Sequence, residues 1–155
     1  MGVRRVVTGV VDGRSTIIDD GPVPESQFWQ ELWVASPAEP LGHAPTEADA
    51  TLEPSPGAAR WRIFLVPPDE VLRSVMAEHH GGEVGDDAFF HITNTLDMIF
   101  VLEGEITLRM EDGEVLLQPG DCVVQRGTNH AWRNTNATPV KLLGVMTALP
   151  PEAKA

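Results

Sequence analysis

Three side chains in the second half of the sequence, His91, Asp97 and His130, have the types and spacing to do chemistry. Imidazole and carboxylate ligate divalent ions, and imidazole exchanges protons near neutral pH. On a strand, residues two apart point the same way, so His91 and Thr93 face one side, and a turn through Leu96 would bring Asp97 onto it again. His130 arrives from a later strand. If the sheet closes, two imidazoles and one carboxylate converge inside it, leaving positions for water and substrate and suiting Fe(II), Mn(II), Ni(II) or Zn(II). The same group also reads as a buried hydrogen-bonded cluster without an ion, because buried polar groups need partners in any fold.

Further candidates flank this set. Trp132, two residues beyond His130, points into the same space, either to stack on a substrate or as a core aromatic. Of Trp61 and Arg62, neighbours on one strand, one faces inward, and Arg62 could hold a substrate carboxylate bidentately or lie on the surface. Arg109, Arg126 and Arg133 share that ambiguity. His79 and His80 fit the end of a helix, His43 an exposed loop, and Glu103 a solvated turn. Cys122 follows Asp121 with no basic neighbour in sequence, which suggests a buried, inert thiol.

The elements that must position these residues follow from pattern. Residues 6–11 and 14–18 are β-branched runs around Asp12-Gly13, the pair that accepts a tight hairpin turn. Residues 31–35 read as a strand. Residues 36–59 hold five prolines and almost no large apolar residue, so they form a long surface loop. A strand over 61–66 ends at Pro67-Pro68. Over 69–80 the apolar positions Val71, Leu72, Val75 and Met76 have helical spacing, with acids in the first turn and Gly81-Gly82 at the C-cap. Short strands then follow at 91–94, 97–102, 105–111, 114–118, 122–125, 130–134 and 140–147, punctuated by glycine turns. Many short strands with such turns imply a closed all-β barrel or sandwich.

Composition narrows the function. The 155 residues amount to one domain's worth at about 100–200 residues per domain. Eleven Lys and Arg stand against 23 Asp and Glu, a formal charge of -12, which repels phosphate backbones and anionic bilayers. Neither nucleic acid nor a membrane is an expected partner. One cysteine forms no internal disulfide, and no apolar run approaches the roughly 20 residues that cross a bilayer, so a cytoplasmic protein is expected. There is no serine nucleophile elbow, phosphate-cradling glycine loop or dinucleotide fingerprint.

The spacing Gly85-x5-His91-x-Thr93-x3-Asp97-x6-Gly104, followed by Gly120-x4-Gln125-x-Gly127-x2-His130-x3-Asn134, resembles the two motifs of the cupin family. The resemblance covers roughly residues 85–148 and is similar to small single-domain type-2 cupins. Four departures stand out. Thr93 replaces a histidine, Asp97 replaces a glutamate, Gln125 takes a proline place, and the spacing before it is one residue short.

The resemblance implies an all-β, cupin-type double-stranded β-helix (jelly-roll barrel), with an N-terminal hairpin extension and one short helix near 69–80. One domain is expected over 1–155, with hairpin, arm and loop at 1–58 and barrel at 59–148. His91, Asp97, His130 and Thr93 become the metal positions, Asp97 also a catalytic base, and Trp132, Arg62 and Trp61 the substrate-binding candidates. The implied cofactor is a divalent transition metal (Fe, Mn, Zn or Ni).

Three functions fit this reading. A metal-dependent lyase, dehydratase, isomerase or cyclase would act on a small oxygenated molecule by Lewis-acid activation. A non-haem iron dioxygenase would use the same ligands, and a metal-free barrel would only bind a small ligand. Pairing of cupin barrels, together with the apolar hairpin, Trp29 and Trp33, leads to an expected homodimer.

Overall fold

The computed structural model describes residues 2–150, with the backbone alone at Ala48 and His80. Strands β1 (Arg4–Val11) and β2 (Arg14–Pro22) form a separate antiparallel hairpin. Its turn has Asp12 at φ 51° and Gly13 at φ 73°, the two successive positive values that a type I′ connection requires. Strands β3 (Trp29–Ala35), β4 (Ala59–Val66), β5 (Thr95–Glu103), β8 (Cys122–Arg126) and β10 (Val140–Ala148) make a five-stranded sheet in the order β3-β4-β10-β5-β8. Strands β6 (Ile106–Met110), β7 (Glu114–Leu117) and β9 (His130–Arg133) make a second sheet, in the order β7-β6-β9.

Alternation along the strands explains why the two sheets close on each other. Ile99 and Val101 of β5 and Val140 and Leu142 of β10 point inward and meet Ile106, Leu108 and Leu117 of the smaller sheet. Each such side chain removed from water contributes about 1.5–3 kcal/mol, so this shared core holds the jelly roll together. A second apolar cluster lies on the opposite face of the larger sheet, where Val23, Leu32 and Ile63 pack with Val3, Leu65 and Leu143. The root of the hairpin is thereby seated on the outward face.

Helix α1 (Asp69–His80) begins after Pro68 and stops at Gly81, whose φ of 71° is left-handed and whose N–H reaches the Ala77 carbonyl. Its first residue is fastened to the end of β9. Arg133 Nε and the Asn134 N–H donate to the two Asp69 carboxylate oxygens at 2.7 and 2.8 Å, and the Asp69 N–H donates to the Asn134 carbonyl.

Two expectations change. Residues 91–94 are not a strand. The β5–β10 ladder ends at Thr95↔Ala148, so the preceding residues run past the sheet, and His91 alone pairs, in an isolated bridge with His130. Nor is the proline-rich loop only a surface segment. It contains a 3-10 turn at Glu47–Asp49, and its backbone carbonyls receive two buried arginines.

Candidate functional site

Register places the inward side chains of the larger sheet in rows. Gln125, Asp97, Met146 and Arg60 form the first row, and Val123, Ile99, Gly144, Arg62 and Glu31 the second. Val101, Leu142, Phe64 and Trp29 form the third. Asp97 needs no turn at Leu96 to share a side with Thr93. Simple alternation buries Thr93, Thr95 and Asp97 together, at 4%, 0% and 6% exposure.

A cavity of about 370 Å³ lies between the sheets and is lined by His91, Thr93, Asp97, Gln125, His130 and Trp132, among others. The His91 and His130 rings lie 4.4 Å apart between centroids, tilted by 52°. Their Nδ1 atoms face backbone carbonyls, His91 toward Phe89 at 3.1 Å and His130 toward Thr128 at 2.8 Å. A carbonyl only accepts, so Nδ1 carries the proton in both rings, and in the neutral imidazoles Nε2 keeps its lone pair. The two rings are thus oriented by the same device, a carbonyl two residues upstream. Trp132 meets His130 edge-on, with centroids 6.1 Å apart.

Burial sets the protonation of His130 and Asp97. His130 is 2% exposed, and loss of water pushes its pKa down to about 4, against the bond to Thr128. Burial likewise pushes the Asp97 carboxyl up, opposed by the Thr95 hydroxyl and the charges of Arg62 and His91. The Asp97 Oδ1 atom is buried without a hydrogen-bond partner. Thr95 Oγ1 donates to Thr93 Oγ1 at 2.8 Å.

The donor set matches a divalent ion at two positions, the Nε2 atoms of His91 and His130. Among the described residues no group of three His, Cys, Asp or Glu side chains is placed to hold one. The remaining donors would have to come from water or a bound ligand.

The other candidates separate clearly. Arg62 is fully buried behind the cavity wall, 2.5 Å from Glu31, donating to the Leu52 carbonyl at 2.8 Å and lying over the Trp29 and Phe64 rings. Trp61 has the opposite parity on β4 and is 43% exposed on the outer face, away from the cavity. Cys122 is exposed rather than buried, because the inward positions of β8 are Val123 and Gln125. His43 pairs its backbone with Val34, and its ring lies 3.3 Å from Glu39. Glu103 is exposed and paired with Lys141 at 2.6 Å. His79 is exposed, whereas the His80 side chain lies outside the described residues.

Four residues of the cavity wall were not among the site candidates read from the sequence. Gln125, noted in the sequence only for taking a proline place, sits in the cavity wall opposite Asp97, and its amide donates to the Thr128 carbonyl at 3.1 Å and to the Thr128 hydroxyl. Leu72 and Met76 of α1 line the cavity with Phe89. The guanidinium groups of Arg73 and Arg133 flank that phenylalanine ring at 4.9 and 5.1 Å. Parity on β8 could have found Gln125. The helix residues depend on where α1 docks, which no local pattern states.

The Cupin domain family matches residues 75–146. The Oryzines biosynthesis cluster protein J of Aspergillus oryzae is 43% identical over 76 residues, 48% of this chain and 40% of that protein. The Phomopsin biosynthesis cluster protein D of Diaporthe leptostromiformis is 46% identical over 77 residues, 49% of this chain and 38% of that protein. The similarity to these curated relatives therefore spans about two-fifths of their length. Among solved structures, TT1209 from Thermus thermophilus superposes with a TM-score of 0.41 and 24% identity, over 59% of this chain and 74% of that one. The paired motifs lie within the family match, on strands that enclose the cavity, and over residues 75–146 the chain matches the Cupin domain family.

Proposed function

We propose that this chain is a cupin enzyme acting on a small oxygenated organic molecule held in the cavity, with His91 and His130 at the reacting end. The observation that carries this reading is the matched orientation of the two rings, each held through Nδ1 so that Nε2 is left for a ligand. Most of the cavity wall is carbon, which excludes water from the bound molecule. His130, kept neutral by burial, holds its Nε2 lone pair for a ligand, while Asp97 gives or takes a proton at its unpartnered oxygen. Such a carboxyl group suits removal of a proton beside a carbonyl, the first step of many lyase, dehydratase, isomerase and cyclase reactions. A divalent Fe, Mn, Zn or Ni ion held by His91 and His130, with Asp97 beside them, would supply Lewis acidity to a bound carbonyl or carboxylate.

Elemental analysis of untagged protein tests the metal assignment against His91→Ala and His130→Ala. The expected result is bound transition metal in the native protein and its loss in both variants; equal content in all three contradicts it. Oxygen uptake by the ferrous form would shift the reading to a dioxygenase. A second reading, a metal-free ligand-binding barrel, is favoured by the Thr93 hydroxyl, which is engaged with Thr95 instead of a third imidazole standing there.

The homodimer belongs to the same proposal. On the outward face of the larger sheet, Trp61, Val145, Met98 and Val124 lie side by side, with Trp61, Met98 and Val124 exposed by 43%, 49% and 64%. The hairpin rooted on that face exposes Val6, Val10, Ile17 and Ile18, and two strands alone are marginal in water. A second copy offers both surfaces their complement. Light scattering is expected to give twice the 16.8 kDa chain mass, and a monomer mass contradicts the pairing. The single cysteine fits a cytoplasmic setting.

A further inference from the structure

We propose that Gln125 is a positioning residue for His130: its amide holds the Thr128 carbonyl in the orientation that keeps the imidazole proton on Nδ1 and leaves Nε2 free. The inference rests on the reading of His130 Nε2 as a ligating atom, and it names the side chain that sets the state of that atom.

Thr128 lies in the irregular stretch 127–129 between β8 and β9, where no strand ladder fixes the direction of a peptide group. Its carbonyl accepts twice, from His130 Nδ1 at 2.8 Å and from Gln125 Nε2 at 3.1 Å. One oxygen has two lone pairs, so the two bonds do not compete. The Gln125 amide also donates to the Thr128 hydroxyl, a second contact to the same residue. Gln125 itself is 3% exposed, on the inward row beside Asp97.

A trans peptide unit carries its C=O and its N–H on opposite sides. If the unit joining Thr128 to Asn129 turned over, the Asn129 N–H would stand where the carbonyl stands now. His130 would then accept at Nδ1 and carry its proton on Nε2, with no lone pair left for an ion or a substrate in the cavity.

His91 provides the contrast. Its Nδ1 faces the Phe89 carbonyl at the end of the 3-10 turn Asp86–Phe89, and among the described residues no side chain donates to that oxygen. Gln125 therefore acts on one ring of the pair. It also stands where the resembled motif has a proline. Proline fixes φ and carries no side-chain donor, so in this chain a hydrogen bond restrains the turn where the motif has a covalent ring.

Long-range 1H–15N spectra of the imidazoles in the native chain and in Gln125→Met, a side chain of similar length without a donor, test the proposal. The Nε2–H form is expected to appear at His130 and not at His91, and Zn(II) affinity measured by calorimetry is expected to fall about 10–100-fold. An unchanged His130, or equal changes at both rings, overturns the proposal. Thr128→Val removes the hydroxyl and leaves the carbonyl, so His130 is expected to keep its Nδ1–H form; a shift as large as in Gln125→Met overturns the role of the carbonyl. If Gln125→Met does not fold, the native chain decides. The Gln125 side-chain amide is expected to exchange with solvent at least about tenfold more slowly than that of the exposed Gln27, and equal rates overturn the proposal.

The metal reading fails separately. A changed His130 in Gln125→Met with no Zn(II) uptake by the native chain overturns the metal assignment and supports the positioning role. Zn(II) uptake of equal affinity in both, with His130 unchanged, does the reverse.

Discussion

Two polar groups lie against neighbouring parts of the larger sheet and behave in opposite ways. Arg60, Arg62, Glu31 and Asp49 bury charges and spend them on one another and on the carbonyls of the 47–57 loop. His91, Thr93, Asp97, Gln125 and His130 present ring nitrogens and an unpartnered carboxyl oxygen to an open cavity. The first group is architecture and the second is a binding surface. The difference lies in where the partners are. Arg62 finds partners for its terminal nitrogens inside the chain, its Nε having none, and burial still draws its pKa down to about 10, whereas Asp97 Oδ1 at the cavity has no partner.

The largest effect that would break this contrast is Arg62→Ala. Removing the cation strands the Glu31 carboxylate, whose pKa burial already pushes up against the pull of Arg62 and Arg60. The expected loss is about 3–5 kcal/mol of unfolding free energy, read from urea midpoints. Near-native stability with lost ligand binding would move Arg62 into the binding surface.

Next in size is the pH dependence carried by His130. Its pKa is lowered from 6.5 in the open chain to about 4 in the fold, so on acidification the unfolded state takes up a proton first. This contribution is full above pH 6.5 and is lost as pH falls toward 4, on the order of 3 kcal/mol in all. His130→Gln should therefore flatten melting temperature against pH in that window relative to the native protein. Parallel curves would mean that the ring is not held neutral.

Asp97→Asn should do less to stability. Because burial disfavours the ionised carboxyl, the amide is expected to be neutral or to stabilise by up to about 1 kcal/mol at pH 7. A large destabilisation would place Asp97 with the structural group. The smallest effect belongs to Trp61→Ala, expected to leave ligand affinity within about twofold, or ~0.4 kcal/mol, since the ring is on the outer face.

The same contrast marks what could be read from the chain beforehand. Helix 69–80 was legible because its cap, its acidic first turn and its apolar spacing all agreed. The hairpin was legible from Asp12-Gly13. Placement of Asp97 and His130 on one cavity was expected from motif spacing and a turn through Leu96, whereas alternation without that turn is what carries Asp97 there. Trp61 against Arg62 was not decidable, because β4 is apolar at both parities and its inward face depends on Phe64 and Val66 meeting the far sheet. Arg62 could not be assigned to the wall either, since its partners Glu31 and Leu52 come from a strand and a loop with no sequence link to it. Cys122 misled because an apolar neighbourhood in sequence, Val123 and Val124, says nothing about which face a strand residue takes.

The central claim is that His91 and His130 are locked through Nδ1 and offer Nε2 to whatever the cavity holds. Long-range 1H–15N correlation spectra of the imidazoles at pH 7 test it most directly. The account predicts that the neutral form of both rings is the Nδ1–H tautomer, and that both Nε2 resonances move when Zn(II) is added. An Nε2–H tautomer in either ring, or Nε2 signals unmoved by Zn(II), would contradict it.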